Sequence, residues 1–390
     1  MELRSLTINN FKNIESTRLE FSPKTNCFLG NNGMGKSNLL DAIHYLSFCK
    51  SFSGVADSMA VRRGEDFLMV SGDYMRAGID EHLQLGIARG RRKTLRRGGK
   101  EYQRLSTHIG LFPLVMVGPG DIDLIRGAAE ERRRWIDMVI SQSDNLYLDR
   151  LIRYGHALEQ RNRMLRDHIV DHTLFDVVET TMEAAAAYIT AARRSMTERL
   201  APIFRSIYSS IAGDEAEQTE IVYDGWDSRA SSSSSSPSPE ITLRSLLDSC
   251  RRHDEAVGHT SVGPHRDDIA LKLDSMDARR VGSQGQCKTF TIAMRLAQFR
   301  FISEAVSLKP LLLLDDIFDK LDAARVERIM RLVTGHDFGQ IFVTDTNRTH
   351  LDEIMAHTGG DYRLWCVESG VFTPLDASAP TQPQTLVNEE

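Results

Sequence analysis

The chain of 390 residues carries 54 acidic and 48 basic side chains, so its net charge of -6 gives no overall signal for nucleic-acid binding, and a DNA-binding surface would have to be a local patch. Its five cysteines are odd in number, widely spaced and free of Cys-x-x-Cys pairs, which predicts reduced thiols and argues against a disulfide framework or a zinc site. The chain does not open on a basic and then apolar leader, and no apolar run approaches the roughly 20 residues that span a bilayer, so we expect a soluble, cytoplasmic protein without membrane contact.

The first 120 residues read as a mainly β region around one helix, in a chain long enough for more than one lobe. Alternating apolar residues predict two strands that flank the turn Asn9–Asn13. Thr25–Leu29 reads as a short buried strand. Further strands are expected over residues 66–118, and the last of them lies within Leu111–Pro119.

The segment Gly30–Ser37 matches G-x-x-x-x-G-K-[ST] without a mismatch, the pattern of a loop that wraps nucleotide phosphates. Its glycines allow a tight turn with N–H groups aimed at an anion, Lys36 supplies a positive charge, and the Ser37 hydroxyl suits Mg²⁺. A chance glycine-rich turn is the alternative, but a predicted strand precedes the loop and a helix over Asn38–Leu46 follows it. The predicted nucleotide-binding residues are Gly30, Asn31, Asn32, Gly33, Met34, Gly35, Lys36, Ser37 and Asn38.

The densest basic run is Arg89–Lys100, which predicts a β-hairpin with Gly98-Gly99 at its turn. Such charge is what phosphate contacts require, although a solvated hairpin kept soluble by charge would look the same. The DNA-binding candidates are Arg91, Arg92, Lys93, Arg96 and Arg97. Arg132–Arg134, Arg161 and Arg163 are further candidates, or they pair with nearby glutamates across helix turns.

The middle of the chain changes character near residue 121. Apolar residues at three- to four-residue multiples predict helices from Glu130 to about Ile211, with Asp171-His172 as a turn between two long antiparallel helices. Such a stripe is typical of a bundle core rather than of a ligand site. The serine-rich stretch 228–239 has nothing to bury and predicts a disordered surface insert, and a helix resumes over Ile241–Asp254.

A second set of polar residues ends the strand predicted over Lys309–Asp316. Its four leucines predict a central strand covered on both faces, and carboxylates at the end of such a strand lie where α/β sheets bind ligands. With the phosphate loop, this pattern predicts that Asp315 holds Mg²⁺, directly or through water, and that Asp316 orients or deprotonates the attacking water. Asp316 and Lys36 are therefore the predicted catalytic residues. Two aspartates that merely cap a helix are the alternative.

Between these motifs lies Gly282–Thr289, which precedes a predicted helix. Ser283 is a good N-cap and the first turn carries no acid, so the start of the helix could bind an anion. Alone this signal is weak. Placed after the phosphate loop and before the two-aspartate strand, it indicates the second half of a nucleotide site.

In this order the motifs resemble the ABC-type heads of the SMC-like ATPases, and among them the RecF family of recombination mediators. Four further stretches make the resemblance specific: Asn10–Asn13, Arg132–Asp137, Gln160–Asn162 and Gly263–Asp268. The resemblance covers roughly residues 1–375, apart from the serine tract.

The resemblance implies an α/β fold, a P-loop NTPase head with an inserted helical lobe. Residues 1–120 and 259–375 would form the ATPase lobe, 121–258 the helical lobe and 376–390 a flexible tail. It implies ATP and Mg²⁺ as ligands, with two ATP molecules held between two subunits of an ATP-dependent homodimer. The signature residues that would complete the partner's site in trans are Ser283, Gln284, Gly285 and Gln286.

The function implied by the resemblance is a weak, DNA-dependent ATPase of recombinational repair. It would bind single-stranded and gapped duplex DNA at the nucleoid and help mediator proteins load recombinase, in support of replication and the SOS response. Slow hydrolysis would act as a timer on the DNA-bound state.

Some positions depart from the family pattern. Cys287 stands where glutamine is usual. Gly120 stands where glutamate is usual, and this second departure weakens a switch role for the turn at Gly120-Asp121. The strand ending in Thr344-Asp345 lacks the histidine of transporter-type ABC proteins, so no γ-phosphate histidine is assigned, and Thr344 or Asp345 is left as the candidate for that role. A transport-coupled subunit, a nuclease-associated head and a small-molecule kinase are the alternatives. The missing histidine argues against the transport-coupled subunit. The absence of an acidic cluster after residue 345 argues against the nuclease-associated head, and the Ser-Gln-Gly-Gln element argues against the kinase.

Overall fold

The computed structural model describes residues 1–213, 216–231, 242–319, 321–349, 351–352 and 361–375. Most of the predicted serine-rich insert, residues 232–239, and the predicted flexible tail, residues 376–390, lie outside the described residues. Within the described ranges, no helix is long and apolar enough to cross a membrane.

The structure consists of strands and helices that alternate along the chain. The strands are β1 Glu2–Phe11, β2 Ile14–Glu20, β3 Thr25–Leu29, β4 Phe67–Arg76, β5 Ile79–Ala88, β6 Thr94–Arg97, β7 Lys100–Glu101, β8 Leu114–Val117, β9 Thr219–Asp224, β10 Asp268–Leu273, β11 Met276–Asp277, β12 Leu311–Asp315, β13 Ile341–Asp345, β14 Tyr362–Glu368 and β15 Val371–Leu375. The α-helices are α1 Lys36–Phe48, α2 Asp57–Ala60, α3 Asp123–Arg126, α4 Ala129–Ser141, α5 Asn145–Arg166, α6 His172–Ala212, α7 Trp226–Ser231, α8 Leu243–Val257, α9 Ala278–Val281, α10 Gln284–Val306 and α11 Ala323–Val333. Short 3-10 helices cover Leu105–Thr107, Pro119–Ile122 and Pro264–Arg266.

The centre of the predicted ATPase lobe is a mainly parallel sheet in the order β15-β14-β3-β13-β12-β8, with β15 antiparallel at one edge. Strands from both ends of the chain therefore lie side by side. The four leucines of β12 alternate between two cores. Leu311 and Leu313 pack towards α1 and the N-terminal sheet, whereas Leu312 and Leu314 pack towards α10 and the helical lobe. This confirms the central, doubly covered strand predicted from the sequence.

A second, antiparallel sheet in the order β2-β1-β4-β5-β6-β7 covers the other side of α1. Because α1 lies between two sheets, it buries polar as well as apolar faces. The predicted basic hairpin is confirmed. Gly98 and Gly99, with φ of 53° and 79°, form the turn between β6 and β7. Positive φ at both positions is the conformation that glycine adopts without strain.

The helical lobe is built on α5 and α6, which pack along each other as predicted. Helix α6 has 41 residues, a length of about 60 Å, and Asp171 caps its start by accepting hydrogen bonds from Thr173 N and Leu174 N. A three-stranded sheet, β11-β10-β9, joins strands from both sides of residue 258, the predicted lobe boundary. Residues 228–231, placed by the sequence in the disordered insert, belong to α7.

Two clusters of ion pairs hold the predicted helical lobe together and join it to the predicted ATPase lobe. In the Arg161 cluster, Arg161 donates to Glu179 at 2.8 Å and to Asp254 at 2.7 Å, and all three side chains are fully buried. In the Arg193 cluster, Arg193 donates to Asp137 at 2.9 Å and to Asp267 at 3.2 Å. The arginines of both clusters are buried, so their carboxylate partners replace water around the two guanidinium groups.

The arginines that the sequence left open between DNA binding and pairing are mostly paired. Arg132 binds both carboxylate oxygens of Asp268, at 2.7 and 3.0 Å. Arg133 donates to the Asp267 carbonyl at 2.7 Å. Arg134 pairs with Glu130 and Glu131 on its own helix, as the alternative predicted.

Candidate nucleotide-binding site

The phosphate loop runs from the end of β3 to the start of α1 and needs its glycines for two different reasons. A Cβ at Gly30 would come within 2.4 Å of the Val367 carbonyl oxygen on the neighbouring strand. Gly35 has a φ of 116°, and a Cβ there would lie 2.9 Å from the Asn13 amide. The first glycine allows a close approach of two strands and the second a left-handed turn, so neither position accepts a side chain without movement.

Both ends of the chain brace the loop. The Asn13 amide donates to the Met34 carbonyl at 3.2 Å and accepts from the Asn38 side chain at 2.8 Å. From the other end, Gly370 N donates to the same Met34 carbonyl at 2.7 Å. The sequence placed Asn13 in a family motif without a role and did not single out Gly370. The sequence signal that could have identified Gly370 is a glycine in the tight turn between two strands.

Lys36 begins α1 and folds back over the loop. Its Nζ donates to the Gly30 carbonyl at 2.5 Å and to the Asn31 carbonyl at 3.0 Å. Burial lowers the pKa of Lys36, and the negative charges of Asp316 and Asp315 oppose that shift. The ammonium group is thus held over the loop by neutral carbonyls, where a phosphate oxygen would be a better partner.

Ser37 and the two-aspartate strand meet at one carboxylate oxygen. Asp315 Oδ1 accepts from Ser37 Oγ at 2.9 Å and from Thr344 Oγ1 at 2.7 Å. Burial raises the pKa of Asp315, and these two hydrogen bonds oppose the shift. A hydroxyl and a carboxylate oxygen at the mouth of a phosphate loop fit Mg²⁺. In the described part of the chain, no group of three or more His, Cys, Asp or Glu side chains is placed to hold a metal. A magnesium ion here would therefore take its other ligands from phosphates and water.

Asp316 leaves the end of β12 with a φ of 49°, an uncommon conformation for a residue other than glycine. Its N–H donates to Thr344 Oγ1 at 3.1 Å, which holds the turn in place. Burial, followed by the charge of Asp345, raises the pKa of Asp316. A carboxylate with a raised pKa is a better proton acceptor, the chemistry predicted for this residue. Thr344 thus positions both aspartates, a role that sequence reasoning did not assign.

The cleft above the loop is small and open. Its volume is about 120 Å³. Typical small-molecule pockets enclose roughly 300–1,000 Å³. It is lined by Asn32, Gly33, Gly35, Lys36, Ser37, Asn38 and Asp316. The structure thus brings the predicted phosphate-loop residues and the predicted catalytic pair together. It leaves the signature residues outside this lining.

The signature residues start α10 on the protein surface. Ser283 and Gln286 form a reciprocal cap. Ser283 Oγ accepts from Gln286 N at 3.2 Å, and Gln286 Oε1 accepts from Ser283 N at 2.7 Å. Ser283 and Gln284 are exposed, and a Cβ at Gly285 would lie 3.0 Å from the Arg325 guanidinium. The capped start of the helix is thus exposed to solvent, and Gln284 also lines a cavity of about 310 Å³ that Asp316 borders from the other side.

A buried ion pair links the signature helix to the strand beside Asp315. Arg295 on α10 donates to Asp121 at 2.6 Å, and Asp121 accepts from Gly118 N at 3.0 Å, directly after β8. The sequence gave little weight to a switch role in this turn because Gly120 departs from the family pattern. The neighbouring Asp121 is nevertheless buried and paired, and no local sequence signal connects it to a residue 174 positions away.

The five DNA-binding candidates of the hairpin differ in their surroundings. Arg91, Arg92 and Arg96 are exposed. Lys93 instead donates to Asp57 at 2.7 Å and to the Cys49 carbonyl, and Arg97 forms a bidentate pair with Glu81. Of the five candidates, Arg91, Arg92 and Arg96 are therefore the exposed ones, and Arg96 lies 3.7 Å from Glu101.

Comparison with known proteins gives a consistent result. A family model described as an AAA ATPase domain matches residues 1–184. The DNA replication and repair protein RecF of Parabacteroides distasonis is 46% identical over 376 residues, which cover 96% of this chain and 100% of that protein. The protein of the same name from a Porphyromonas gingivalis strain is 48% identical over 371 residues, covering 95% and 99%.

Solved structures agree with the fold. The recombination mediator protein RecF-ATP of the RecFOR pathway superposes with a TM-score of 0.83 at 27% identity, covering 96% of this chain and 98% of the other. A Smc head bound to the C-winged helix domain of ScpA gives a TM-score of 0.56 at 16% identity, covering 97% and 98%. The second likeness concerns the fold alone. Together they confirm the α/β, SMC-like head with an inserted helical lobe.

Proposed function

The chain belongs to the RecF family of DNA replication and repair proteins, and from this premise we propose that it is an ATP-dependent DNA-binding protein of recombinational repair. It binds ATP with Mg²⁺, dimerises, and binds single-stranded or gapped duplex DNA at the nucleoid. There it helps mediator proteins load recombinase, in support of replication and the SOS response. Membership of this family also makes the transport-coupled and nuclease-associated alternatives unnecessary.

The phosphate loop supports ATP binding through Lys36 and its backbone. The loop carbonyls that now accept from Lys36 Nζ, those of Gly30 and Asn31, are weaker partners than a phosphate. The N-terminus of α1 adds the positive end of its dipole. Ser37 and Asp315 are the residues that would hold Mg²⁺, which would supply charge neutralisation at the phosphates. Asp316 would orient or deprotonate the attacking water.

The observation that carries the dimer proposal is that the signature residues lie outside the lining of the cleft above the phosphate loop. The cleft above the loop covers only a small volume, and the capped start of α10 faces solvent with Ser283 and Gln284 exposed. A second copy of the chain could cover the triphosphate with that helix start. The nucleotide would then bridge two positive helix ends. Hydrolysis would remove the bridge, so a slow reaction would time the release of DNA.

The DNA surface is proposed to include the three exposed hairpin arginines, Arg91, Arg92 and Arg96. Their replacement by glutamine should weaken DNA binding at low salt and flatten its salt dependence, because each lost phosphate contact removes about one unit from the salt slope. Arg97→Gln is the matched control, since Arg97 is engaged by Glu81. If the salt dependence of DNA binding had the same slope in the triple variant as in the wild type, the hairpin would be a solvated surface that does not contact DNA.

The direct test is analytical sedimentation of the protein with and without ATP and Mg²⁺, followed by gapped duplex DNA. The wild-type protein should form an ATP-dependent dimer that sediments with the DNA. Lys36→Ala should neither bind ATP nor dimerise. Ser283→Arg should bind ATP as a monomer, because its own phosphate loop is intact. A Ser283→Arg variant that dimerises normally would overturn the trans arrangement, and a wild-type monomer indifferent to both ligands would overturn the proposed function.

A further inference from the structure

The outer face of the antiparallel sheet carries an exposed aromatic ring. Phe67, the first residue of β4, is 49% exposed. Every other aromatic side chain in the described ranges is buried or only partly exposed. Leu68 and Val70 point to the opposite face of the sheet and are buried in the core. Single exposed apolar residues are normal on protein surfaces, so the surroundings of Phe67 decide whether it has a role.

The Phe67 ring is open to a ligand. Its cross-strand partner is Ala88, and Gly86 is the next residue of β5 on the same face, so its neighbours across the strand are small. The ring of Phe112, by contrast, is approached by two arginines, at 5.8 and 5.9 Å. In the part of the chain that the structure describes, no cation and no second aromatic ring lies against Phe67. A flat apolar surface is therefore available beside small residues.

An arginine-bearing turn is fixed next to this ring. The turn follows β5, where Arg91 N donates to the Ala88 carbonyl at 3.1 Å. Arg89 N donates to the carbonyl of Asp66, the residue before Phe67, at 2.9 Å. These backbone hydrogen bonds hold the turn against the start of β4, so its arginines belong to the same surface as the ring.

The positive charge of this surface is not neutralised by the residues that the structure describes. Four exposed arginines form no ion pair with them: Arg63, Arg89, Arg91 and Arg92. Arg89 donates through Nε to the Glu65 carbonyl at 2.8 Å. Arg92 donates to the Gln103 carbonyl at 3.1 Å. These carbonyls orient the guanidinium groups and leave their charge in place. Two acidic residues, Glu65 and Asp66, precede the ring, so four arginines stand against two carboxylates.

We propose that Phe67 is a base-stacking residue for single-stranded DNA, and that Arg63, Arg89 and Arg91 hold the phosphates on either side of the stacked base. An aromatic platform within a positively charged surface is the combination that binds single strands without sequence preference. The inference rests on the proposed DNA binding and deepens it. In a duplex the bases already stack on one another, so only an unpaired base can cover the ring. Phe67 would therefore distinguish single strands from duplex.

The test uses the full chain with ATP and Mg²⁺ at low salt. The probes are a fluorescein-labelled oligothymidine of about 15 nucleotides and a labelled duplex of the same length, followed by fluorescence anisotropy. Phe67→Ala should weaken binding of the single strand at least about fivefold, because one stacked base is lost. Binding of the duplex should stay within about twofold of the wild type. Phe67→Leu keeps apolar bulk but has no π-face, so it should behave like Phe67→Ala.

Two further variants test stacking itself. Phe67→Trp should keep the affinity for oligothymidine, and the emission of the new indole should be quenched by the bases that stack on it. The wild type, with its three tryptophans, gives the background for this measurement. Ile79→Ala is the matched control, since Ile79 is 64% exposed at the other end of the β4–β5 pair. It should leave the affinity for both probes unchanged.

Salt dependence separates the ring from the arginines. Phe67→Ala should lower the affinity for oligothymidine without changing its salt slope, because the ring carries no charge. Arg63→Gln combined with Arg89→Gln should instead flatten the slope, by about 0.7 for each phosphate contact that is lost on a single strand. All of these side chains are exposed, so the unfolding curves of the variants should coincide with that of the wild type.

The possible failures can be told apart. A wild-type protein that binds neither probe would overturn the proposed DNA binding, and this inference with it. If the wild type binds DNA, the inference alone fails when Phe67→Ala weakens the single strand less than about fivefold, or weakens both probes equally. An indole at position 67 that DNA does not quench would also overturn it. Unchanged DNA affinity with a weaker ATP-dependent dimer in sedimentation would assign Phe67 to the subunit interface instead.

Discussion

The nucleotide site and the helical lobe both bury charged side chains, but the partners of those charges differ. In the helical lobe, Arg161 reaches two carboxylates, at 2.8 and 2.7 Å, and every charge in the group has its partner inside the chain. At the nucleotide site, Lys36 reaches only loop carbonyls, and the buried Asp315 and the partly buried Asp316 both have raised pKa values.

This difference separates charges that stabilise the fold from charges that are kept for a ligand. Ion pairs completed within the chain offset their own desolvation, whereas a charge with weak partners carries that cost until something binds. The sequence shows arginines, lysines and aspartates at both places. Only the partners distinguish them, and the partners are distant in sequence. Four measurements would break or sharpen the comparison.

The largest effect is expected in the helical lobe. Arg161→Met leaves Glu179 and Asp254 buried without their shared cation, so the free energy of unfolding should fall by about 3–5 kcal/mol. Urea denaturation of the ligand-free protein measures it. Arg134→Met, which removes a surface arginine paired with exposed glutamates, should cost less than about 1 kcal/mol. Equal losses in the two variants would mean that the buried group is no more important than a surface pair.

At the nucleotide site the effect should appear only with ligand. Lys36→Ala should unfold in urea like the wild type when no nucleotide is present, since its Nζ contacts only carbonyls. Wild-type protein should gain about 2.7 kcal/mol when ATP is present at a hundred times its dissociation constant. The variant should gain nothing. A ligand-free Lys36→Ala protein that is strongly destabilised would show that Lys36 belongs with the structural charges.

Low pH should destabilise the contacts that His265 makes between the two lobes. Burial lowers the pKa of His265 to about 4, and its ring contacts the Tyr154 hydroxyl at 2.7 Å and the Thr260 carbonyl at 3.0 Å. Below its ordinary pKa of 6.5 the unfolded chain binds a proton that the folded chain excludes. The free energy of unfolding therefore decreases as the pH is lowered, by up to about 2 kcal/mol for this group between pH 6.5 and about pH 5.

The readout for His265 is the slope of unfolding free energy against pH, not its value at one pH. His265→Gln should flatten the slope by up to one proton, because glutamine does not titrate. His156→Gln, at an exposed position on α5, should leave the slope as it is. A slope that is the same in wild type and His265→Gln would show that another group controls the acid response.

The smallest effect has the opposite sign. The raised pKa of Asp316 means that the folded state carries a cost for its charge at neutral pH, which acid relieves as the pH falls through the raised value. Asp316→Asn removes that charge and keeps the size of the side chain, so the ligand-free protein should become more stable by less than about 1 kcal/mol while ATP hydrolysis is lost. A destabilised Asp316→Asn protein would contradict the assignment of this carboxylate to ligand chemistry.

Local pattern was sufficient for the parts of the molecule that depend on neighbouring residues. The strand Thr25–Leu29, the basic hairpin and the central leucine strand were predicted where the structure has them, because alternation and turn glycines act over a few residues. The meeting of the phosphate loop with Asp315 was predicted from a combination of motifs, although 278 residues separate Ser37 from Asp315.

What the sequence did not reveal depends on distant partners. Nothing near Arg161 indicates that Asp254, 93 positions away, would occupy its guanidinium, so the arginine remained a DNA candidate. The same holds for Arg97, which Glu81 holds across two strands. Asn13 and Gly370 brace the loop from opposite ends of the chain, and only the sheet order brings them to it.

That sheet order has a consequence for how the protein is made. The strand β3 lies between β13 and β14. The backbone hydrogen bonds around residue 25 can therefore form only after residues 341 and 362 have been synthesised. During synthesis the phosphate loop would leave the ribosome with its flanking apolar strand uncovered, while α5 and α6, contiguous in sequence, could already pair. The helical lobe is thus the natural first folding unit. A truncation before β14 would leave a nascent chain prone to aggregation rather than a smaller working ATPase.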